Sequence, residues 1–350
     1  MSSAANARRA ANLARFSEIV AAAAVLLLAP AVGAAAGDLF ATDEPLEMRL
    51  EAPLGIVNSG RQPEYQAGRL TIGETTVDLR VRQRGRSRAA ACPFKPLWLN
   101  FRTKDLAGTV LEGQDRLKLV THCNPSDAYD QYVLVEYLSY RALALLTDLT
   151  LRARLVKVTY YDSQRGREIA VRPGILLEDE DRFAERKGFG RIEDEQVDRA
   201  RYDQAALGLV YLFEFMIGNT DWAATAGPAG TECCHNVIPY ARPDGVLMPV
   251  PYDFDSSGLV NAPYALPDER LKVTSVLDRV YRGTCEPKET LKPRFAAFEA
   301  QREKILGLFS SQAGLSDRTV KRTTEYIEGF YAILADQKKA EREFRDKCDR

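Results

Sequence analysis

Residues 218–258 read GNTDWAATAGPAGTECCHNVIPYARPDGVLMPVPYDFDSSG. The stretch carries Asp221, Asn236, Asp253 and Asp255, whose side-chain oxygens suit a hard divalent cation such as Mg2+. The apolar run Val246 to Pro251 leads into Tyr252-Asp253-Phe254-Asp255 and predicts a buried strand that delivers Asp253 to its end. Asn236 to Tyr240 predicts a partner strand, and Arg242-Pro243-Asp244-Gly245 is a turn sequence between the two. The expected product is a hairpin with an Asn at one mouth, an Asp at the other, and a loop Asp ahead of both. Any one of these residues also suits a plain turn, and Asp255 is equally placed to cap Ser256-Ser257-Gly258.

Upstream of this stretch, Tyr202 to Ile217 predicts a long apolar helix that stops at Gly218. The chain before that is rich in strand patterns. Glu47 to Ala52, Arg69 to Ile72, Thr76 to Gln83, Phe94 to Phe101, Arg116 to Thr121, Ala153 to Tyr160 and Arg172 to Leu177 read as strands of an antiparallel sheet. Lys and Arg fall on its polar face. Arg84-Gly85-Arg86-Ser87-Arg88 reads as a small basic loop. One helix interrupts the strands: Ser126 or Asp127 caps it, Tyr132, Val135, Leu138, Ala142 and Leu145 recur at helical spacing, and Glu136 lies inside it. Glu178 to Asp181 reads as a solvated acidic linker. Downstream, Leu271 to Tyr281, Pro293 to Ser310 and Asp317 to Lys347 predict helices.

The 350 residues suffice for two lobes. Hydrophobic content of 45% and charged content of 28% are those of a globular protein, and a net charge of −1 gives no case for nucleic acid or an anionic membrane. Residues 1–36 have the layout of an export signal. Arg8, Arg9 and Arg15 are basic, Ile19 to Ala29 is apolar but short for a bilayer span, and Ala34-Ala35-Ala36 offers small residues for cleavage. An uncleaved anchor is the alternative. The expectation is a periplasmic or secreted chain with no membrane span after cleavage. All six cysteines then lie in an oxidising compartment that favours disulfides. Cys92 precedes one strand and Cys123 follows another, so pairing of those strands predicts Cys92–Cys123. Cys285 is expected to bond Cys233 or Cys234. Structural zinc is disfavoured, because no CxxC pair occurs and only His122 and His235 are available.

In this order the motifs resemble the CotH family of secreted, spore-coat-type atypical protein kinases. Val81 to Arg88 followed by Lys95 is similar to the family's RGxS loop and lysine. Leu117-Lys118-Leu119 and the helix bearing Val135-Glu136-Tyr137 are similar to its N-lobe strand and helix, and Gly174 to Glu178 sits where its lobes are linked. Asn219-Thr220-Asp221, His235-Asn236 and Tyr252-Asp253-Phe254-Asp255 resemble its catalytic and metal motifs. Together these stretches cover about half of the chain. Asp221 and Asn236 stand 15 residues apart, farther than in the family, with Thr225 to Cys234 as an insertion, and Asp221-Trp222 replaces Asp-Arg-His.

The resemblance implies an α+β, bilobal, protein-kinase-like fold: a strand-rich N-lobe over 38–178 with one inserted helix, and a mostly helical C-lobe over 179–350 carrying the hairpin. It implies ATP with Mg2+ or Mn2+, and phosphoryl transfer to a protein or cell-envelope acceptor. Asp253 and Asn236 would hold metal, Asp255 would be a further metal ligand or a turn cap, and Asp221 would orient or deprotonate the acceptor hydroxyl. Lys95 or Lys118 would reach the phosphates, Glu136 would pair with that lysine, and Arg84, Gly85 and Ser87 would form the loop above. His235 and Trp222 read as structural. The competing readings are a kinase-like binding protein without turnover, which the stretched Asp221–Asn236 spacing favours, and a transferase of AMP in place of phosphate. A metal-dependent hydrolase would need more His or acidic ligands than this stretch holds.

Overall fold

The computed structural model describes residues 37–349, apart from 62, 86 and 272; the expected export signal at 1–36 lies outside the described residues. In the N-terminal half the elements are β1 (Leu46–Ala52), α1 (Leu54–Ser59), β2 (Gln66–Ile72), β3 (Thr75–Gln83), α2 (Ser87–Ala91), β4 (Leu97–Phe101), β5 (Arg116–Val120), α3 (Ala128–Leu146), β6 (Ala153–Asp162) and β7 (Arg167–Leu177). The second half comprises α4 (Glu180–Lys187), β8 (Gly190–Arg191), α5 (Gln204–Ile217), β9 (Val237–Ala241), β10 (Leu247–Pro251), α6 (Lys288–Ser311), α7 (Asp317–Ala335) and α8 (Gln337–Glu341). The content is α+β, as expected.

The strands β1 to β7 form a closed barrel in the order β1-β2-β3-β4-β5-β7-β6. This corrects the expectation of an antiparallel sheet. Every neighbouring pair is antiparallel except β1 with β6, which run parallel from Leu46 opposite Val156 to Ala52 opposite Asp162 and close the barrel. Strand periodicity sets which side chains face inward but not which distant strand completes the circle. On β3, Val77, Leu79 and Val81 point into the barrel core, while Thr76, Asp78 and Arg80 face out.

Helix α3 is buried on most of its circumference because it lies between the barrel and the helices of the second half. Val133, Leu138 and Leu143 share one apolar core with Phe213 and Phe215 of α5 and with Phe298 and Phe309 of α6. The acidic segment is not a solvated linker. Glu178 is 1% exposed and accepts hydrogen bonds from Arg152 and Arg186, and Asp179 caps α4 by accepting from the Asp181 amide. Helix α5 opens with the Asp203 carboxylate accepting from the Ala206 amide, a cap worth about 1 kcal/mol. It ends on Gly218, whose φ of 64° is in the left-handed region open to glycine.

Two expected helices change. The segment Leu271 to Tyr281 holds only the end of a 3₁₀ turn, Glu269–Leu271. Its side chains bond locally, Ser275 Oγ accepting from the Leu277 amide and Asp278 accepting from the Ser275 amide, which competes with helix formation. The single helix expected over Asp317 to Lys347 breaks at Asp336, whose carboxylate accepts from the Lys338 and Lys339 amides and starts α8. A π turn, Arg342–Asp346, follows. No described helix is long and apolar enough to cross a membrane.

Three disulfides tie the fold. Cys92 bonds Cys123, as the strand order predicts. Cys285 bonds Cys348, not the insertion, and Cys233 and Cys234 bond each other. The expected link from Cys285 to Cys233 or Cys234 is therefore corrected: 349 adds to 283–285 as a short backbone ladder, which sets Cys348 beside Cys285. Non-reducing peptide mapping should recover Cys92–Cys123 and Cys285–Cys348 as linked peptides, and the Cys233–Cys234 peptide should lack two hydrogens relative to its reduced form. A peptide joining Cys285 to the insertion would contradict this arrangement. Reduction of Cys285–Cys348 should cost about 2–5 kcal/mol in chemical denaturation.

Candidate functional site

The hairpin β9–β10 forms as expected, with Val237 opposite Pro251 and Ala241 opposite Leu247. At its open end the Asn236 carbonyl accepts from the Tyr252 amide at 3.0 Å, so Asn236 and Asp253 sit at neighbouring strand ends. Both have left-handed backbones, φ 54° for Asn236 and 64° for Asp253. Only Asn261 shares that property among the described non-glycine residues. Asn and Asp enter this region more easily than most residues, yet each still pays strain that the surrounding structure must hold. For Asp253 the restraint comes from α3: its amide donates to the Tyr140 hydroxyl at 2.8 Å, and the buried Phe254 next to it packs at a tilt on Tyr140 and edge-on against Phe213.

Asp221 reaches the same place across its insertion. The strand-like contact of Ala223 with His235 folds the insertion back on itself. Asn236 Nδ2 then donates to the Asp221 carbonyl at 2.6 Å and to its Oδ2 at 3.3 Å, while His235 Nε2 lies 2.7 Å from Oδ1. That hydrogen bond raises the His235 pKa above its ordinary value against the opposing effect of burial. His235, read from the sequence as structural, is thus a direct partner of Asp221.

Asp255 is 4% exposed and turned away from solvent. Its Oδ2 is 3.4 Å from Arg88 Nε, and Arg88 Nη1 is 3.5 Å from Glu136 Oε2 on α3. Arg88 also donates to the Thr121 carbonyl, and the ring of Tyr264 lies 5.5 Å from its guanidinium. Burial opposes the charge of Arg88, but Tyr264, Asp255, Glu136 and Asp253 together raise its pKa above the ordinary value. Burial, reinforced by Asp253, pushes Asp255 up to about 6, and burial with Asp255 pushes Glu136 well up. Glu136 therefore pairs with Arg88 and not with a lysine, a correction to the expected pair. The physical reason is α2: the segment expected as a loop turns helical at Ser87, and the Cys92–Cys123 bond pins it beside the end of β5, which drives Arg88 inward.

The two candidate lysines separate. Lys118, on β5, is buried and pairs with Glu180, and its ammonium lies 4.5 Å from the Tyr252 ring and 5.6 Å from the Trp98 ring. Burial lowers its pKa, and the nearby Arg84 adds to the fall while Glu180 and Asp253 oppose it. Against its own burial, Glu180 is drawn down to about 2 by Lys118 and Arg191. The Lys95 ammonium donates instead to the Ala89 carbonyl and makes no ion pair among the described residues. Arg84 is half-buried near Trp98, Gly85 takes a φ of 84°, and Ser87 is exposed at the start of α2. The structure thus brings together Asp221, Asn236, Asp253, Asp255, Glu136, Lys118 and Arg84, and leaves Lys95 and Ser87 outside. Arg88, Tyr140, Glu180 and Tyr264 were not singled out from the sequence. The one signal for Arg88 was the alternation of Arg82, Arg84, Arg86 and Arg88 running into three alanines.

Among the described residues no group of three or more His, Cys, Asp or Glu side chains forms a ready metal cage. The donor set nonetheless fits a Mg2+ or Mn2+ carried in by a nucleotide, which takes few protein ligands. Asn236 spends its nitrogen on Asp221 and keeps its amide oxygen free of hydrogen bonds to described residues. The Asp253 carboxylate has no ion-pair partner among them, although Arg88 and Lys118 both feel its charge.

The chain has two histidines, so an NMR titration of the metal-free protein reads both. His235 should titrate above 6.5, whereas burial near Arg172 and Arg88 lowers His122 to about 4. A raised histidine stabilises the fold fully below its unfolded pKa and loses that contribution as pH rises through the folded value. Asp221→Asn should bring the His235 midpoint down and leave His122 in place; an unmoved His235 would refute the contact.

Neither a protein-family model nor a curated protein sequence matches the chain. Among solved structures, it is similar to the proinflammatory kinase CtkA of Helicobacter pylori, with a TM-score of 0.40 and 8% sequence identity over 70% of this chain and 94% of that one. Likeness at that level assigns neither an activity nor a substrate.

Proposed function

We propose that the protein is an exported, CotH-like kinase that binds ATP with Mg2+ or Mn2+ and transfers phosphate to a hydroxyl of a protein or cell-envelope acceptor. The observation that carries the reading is the convergence of Asp221, Asn236 and Asp253, from three separate points of the chain, on one hairpin mouth with two strained backbones. Phosphoryl transfer gains little from covalent help, so fixed ligands and opposing cations do most of the catalysis. Asp253 and the Asn236 amide oxygen would hold the metal, which would neutralise charge on the phosphates. Lys118 on β5 and Arg84 supply positive charge on the barrel side, close enough for Asp253 to act on Lys118. Lys118 is the phosphate lysine in this reading, and Lys95 is structural.

Asp221 orients the acceptor hydroxyl. Both of its oxygens are already engaged, one by His235 and one by Asn236, which suits positioning better than strong proton abstraction. Glu136 and Asp255 act through Arg88 and place the segment that follows the hairpin.

A binding protein without turnover is the second reading. It is favoured by the Lys118–Glu180 pair, which must open before the lysine can meet a phosphate.

Purified residues 37–350 with ATP and Mg2+ or Mn2+ separate these readings. ATP should raise the melting temperature only when metal is present. Asp253→Asn should abolish that shift, and Asp221→Asn should keep it while turnover falls by a factor on the order of 100 or more. Lys118→Ala should weaken nucleotide affinity, and Lys95→Ala should not. Labelling from the γ phosphate supports kinase activity, whereas labelling from the α phosphate replaces it with AMP transfer. A metal-dependent shift without label transfer selects the binding protein, and an oxidised wild type showing neither overturns both.

A further inference from the structure

Helix α5 leads into the loop that carries Asp221, and Glu214 lies in its last turn. The Glu214 carbonyl accepts from the Asn219 amide at 2.8 Å. Its side chain is buried, and neither carboxyl oxygen has a hydrogen-bond partner among the described residues. Asn219 is equally buried, and its side-chain nitrogen is likewise unpaired among them. Its side-chain oxygen accepts from the Asp221 amide at 3.0 Å, and its carbonyl accepts from Trp222 Nε1 at 3.1 Å. An unpaired acid and an unpaired donor thus meet under Asp221, where each is costly unless it serves the other.

A second support for the loop comes from outside the helix. Arg282 Nη1 donates to the Thr220 carbonyl at 3.0 Å and to the Trp222 carbonyl, on either side of Asp221. Burial pushes the Glu214 carboxyl up to about 8, against the pull of Asn219 and Arg282 and with a push from Asp221. Asp268, Arg270 and Arg199 act in turn on Arg282. The other arginines against α5 are taken up elsewhere: Arg279 by the Met216 and Tyr326 carbonyls, and Arg294 by Glu286 and the Gln204 carbonyl.

We infer that Glu214 is a positioning residue for the Asp221 loop and switches its hold with pH. As the neutral acid it lies against Asn219 and leaves Arg282 on the two carbonyls. A carboxylate formed in the same place needs a counter-charge, and Arg282 is the cation that acts on it. Turning toward Glu214 takes the guanidinium off the Thr220 and Trp222 carbonyls and frees the loop. That the loop is catalytic rests on the phosphotransferase reading; that a proton holds it does not.

The test needs no nucleotide, so it can fail while that reading stands. The chain has two tryptophans, and Trp98→Phe leaves the buried Trp222, bonded to Asn219, as sole reporter. Its emission should move to the red in one step with a midpoint near pH 8, as the indole meets water. Glu214→Gln, a neutral isostere, should abolish the step. His235→Gln should keep it, which separates Glu214 from the histidine raised above 6.5 nearby. Stability is the second readout. A group whose folded pKa is raised contributes fully below its unfolded value and loses that contribution as pH rises through the folded one. The melting temperature of wild type relative to Glu214→Gln should therefore be level below about pH 4.5, fall up to about pH 8 and level again above it. An emission step that survives Glu214→Gln overturns the inference. So does the absence of a step in wild type, even with the stability difference present, because Glu214 would then be a buried acid that positions nothing.

Discussion

A guanidinium with almost no access to water must find its counter-charge inside the protein, and Arg88 is that group here. Removing a charge from solvent costs several kcal/mol, and the fold recovers it only if every partner is in place. Arg88 collects its partners from three elements: Glu136 from α3, Asp255 from the segment after β10, and the Thr121 carbonyl from the end of β5. The barrel, the central helix and the hairpin are thereby bound to one cation. Losing a single carboxylate would leave the arginine under-compensated, at a cost of about 3–5 kcal/mol. The disulfide at Cys92 and Cys123 serves the same end by fixing the short helix that presents Arg88.

The hairpin and the Asx residues at its mouth are legible in the sequence because their signals are local. A run of apolar residues, a Pro-Asp-Gly turn and flanking Asx residues lie within a few positions of one another, and the strands form where those signals place them. The long helices α5 and α6 were legible for the same reason. Partners were not. From the sequence Glu136 reads as a lysine's partner, because helical spacing fixes the face of a side chain but not what approaches it from another element. Lys118 and Lys95 look alike on the chain, but Lys118 lies on β5 and is carried to Tyr252, whereas Lys95 falls before β4 and turns back on Ala89 of α2. The contact of His235 is not readable from its neighbours, because it depends on Asp221, fourteen residues away along the chain. The segment before Tyr281 misled because its helical composition is overridden by side-chain bonds of Ser275 and Asp278.

The strained residues bear on how the site holds its shape. Asn236 and Asp253 occupy conformations that a glycine would reach at less cost, so their identities are not explained by the backbone. What keeps them there is the surrounding apolar mass: Phe254 between Tyr140 and Phe213 on one side, and Val250 with Tyr240 and Phe183 on the other. Such rigid supports hold the side-chain oxygens of Asn236 and Asp253 in fixed positions.

The parallel seam between β1 and β6 also sets the order of events during synthesis. β1 can pair with β2 as soon as both emerge, but its other edge waits until the chain has passed through β3, β4, β5 and all of α3. Contacts so far apart in sequence raise contact order and slow folding. Until β6 arrives, β1 presents a line of unpaired amides and carbonyls, the kind of edge that recruits strands from other molecules. Closure removes that hazard for the finished barrel, and the period before closure is when this chain is most exposed to aggregation.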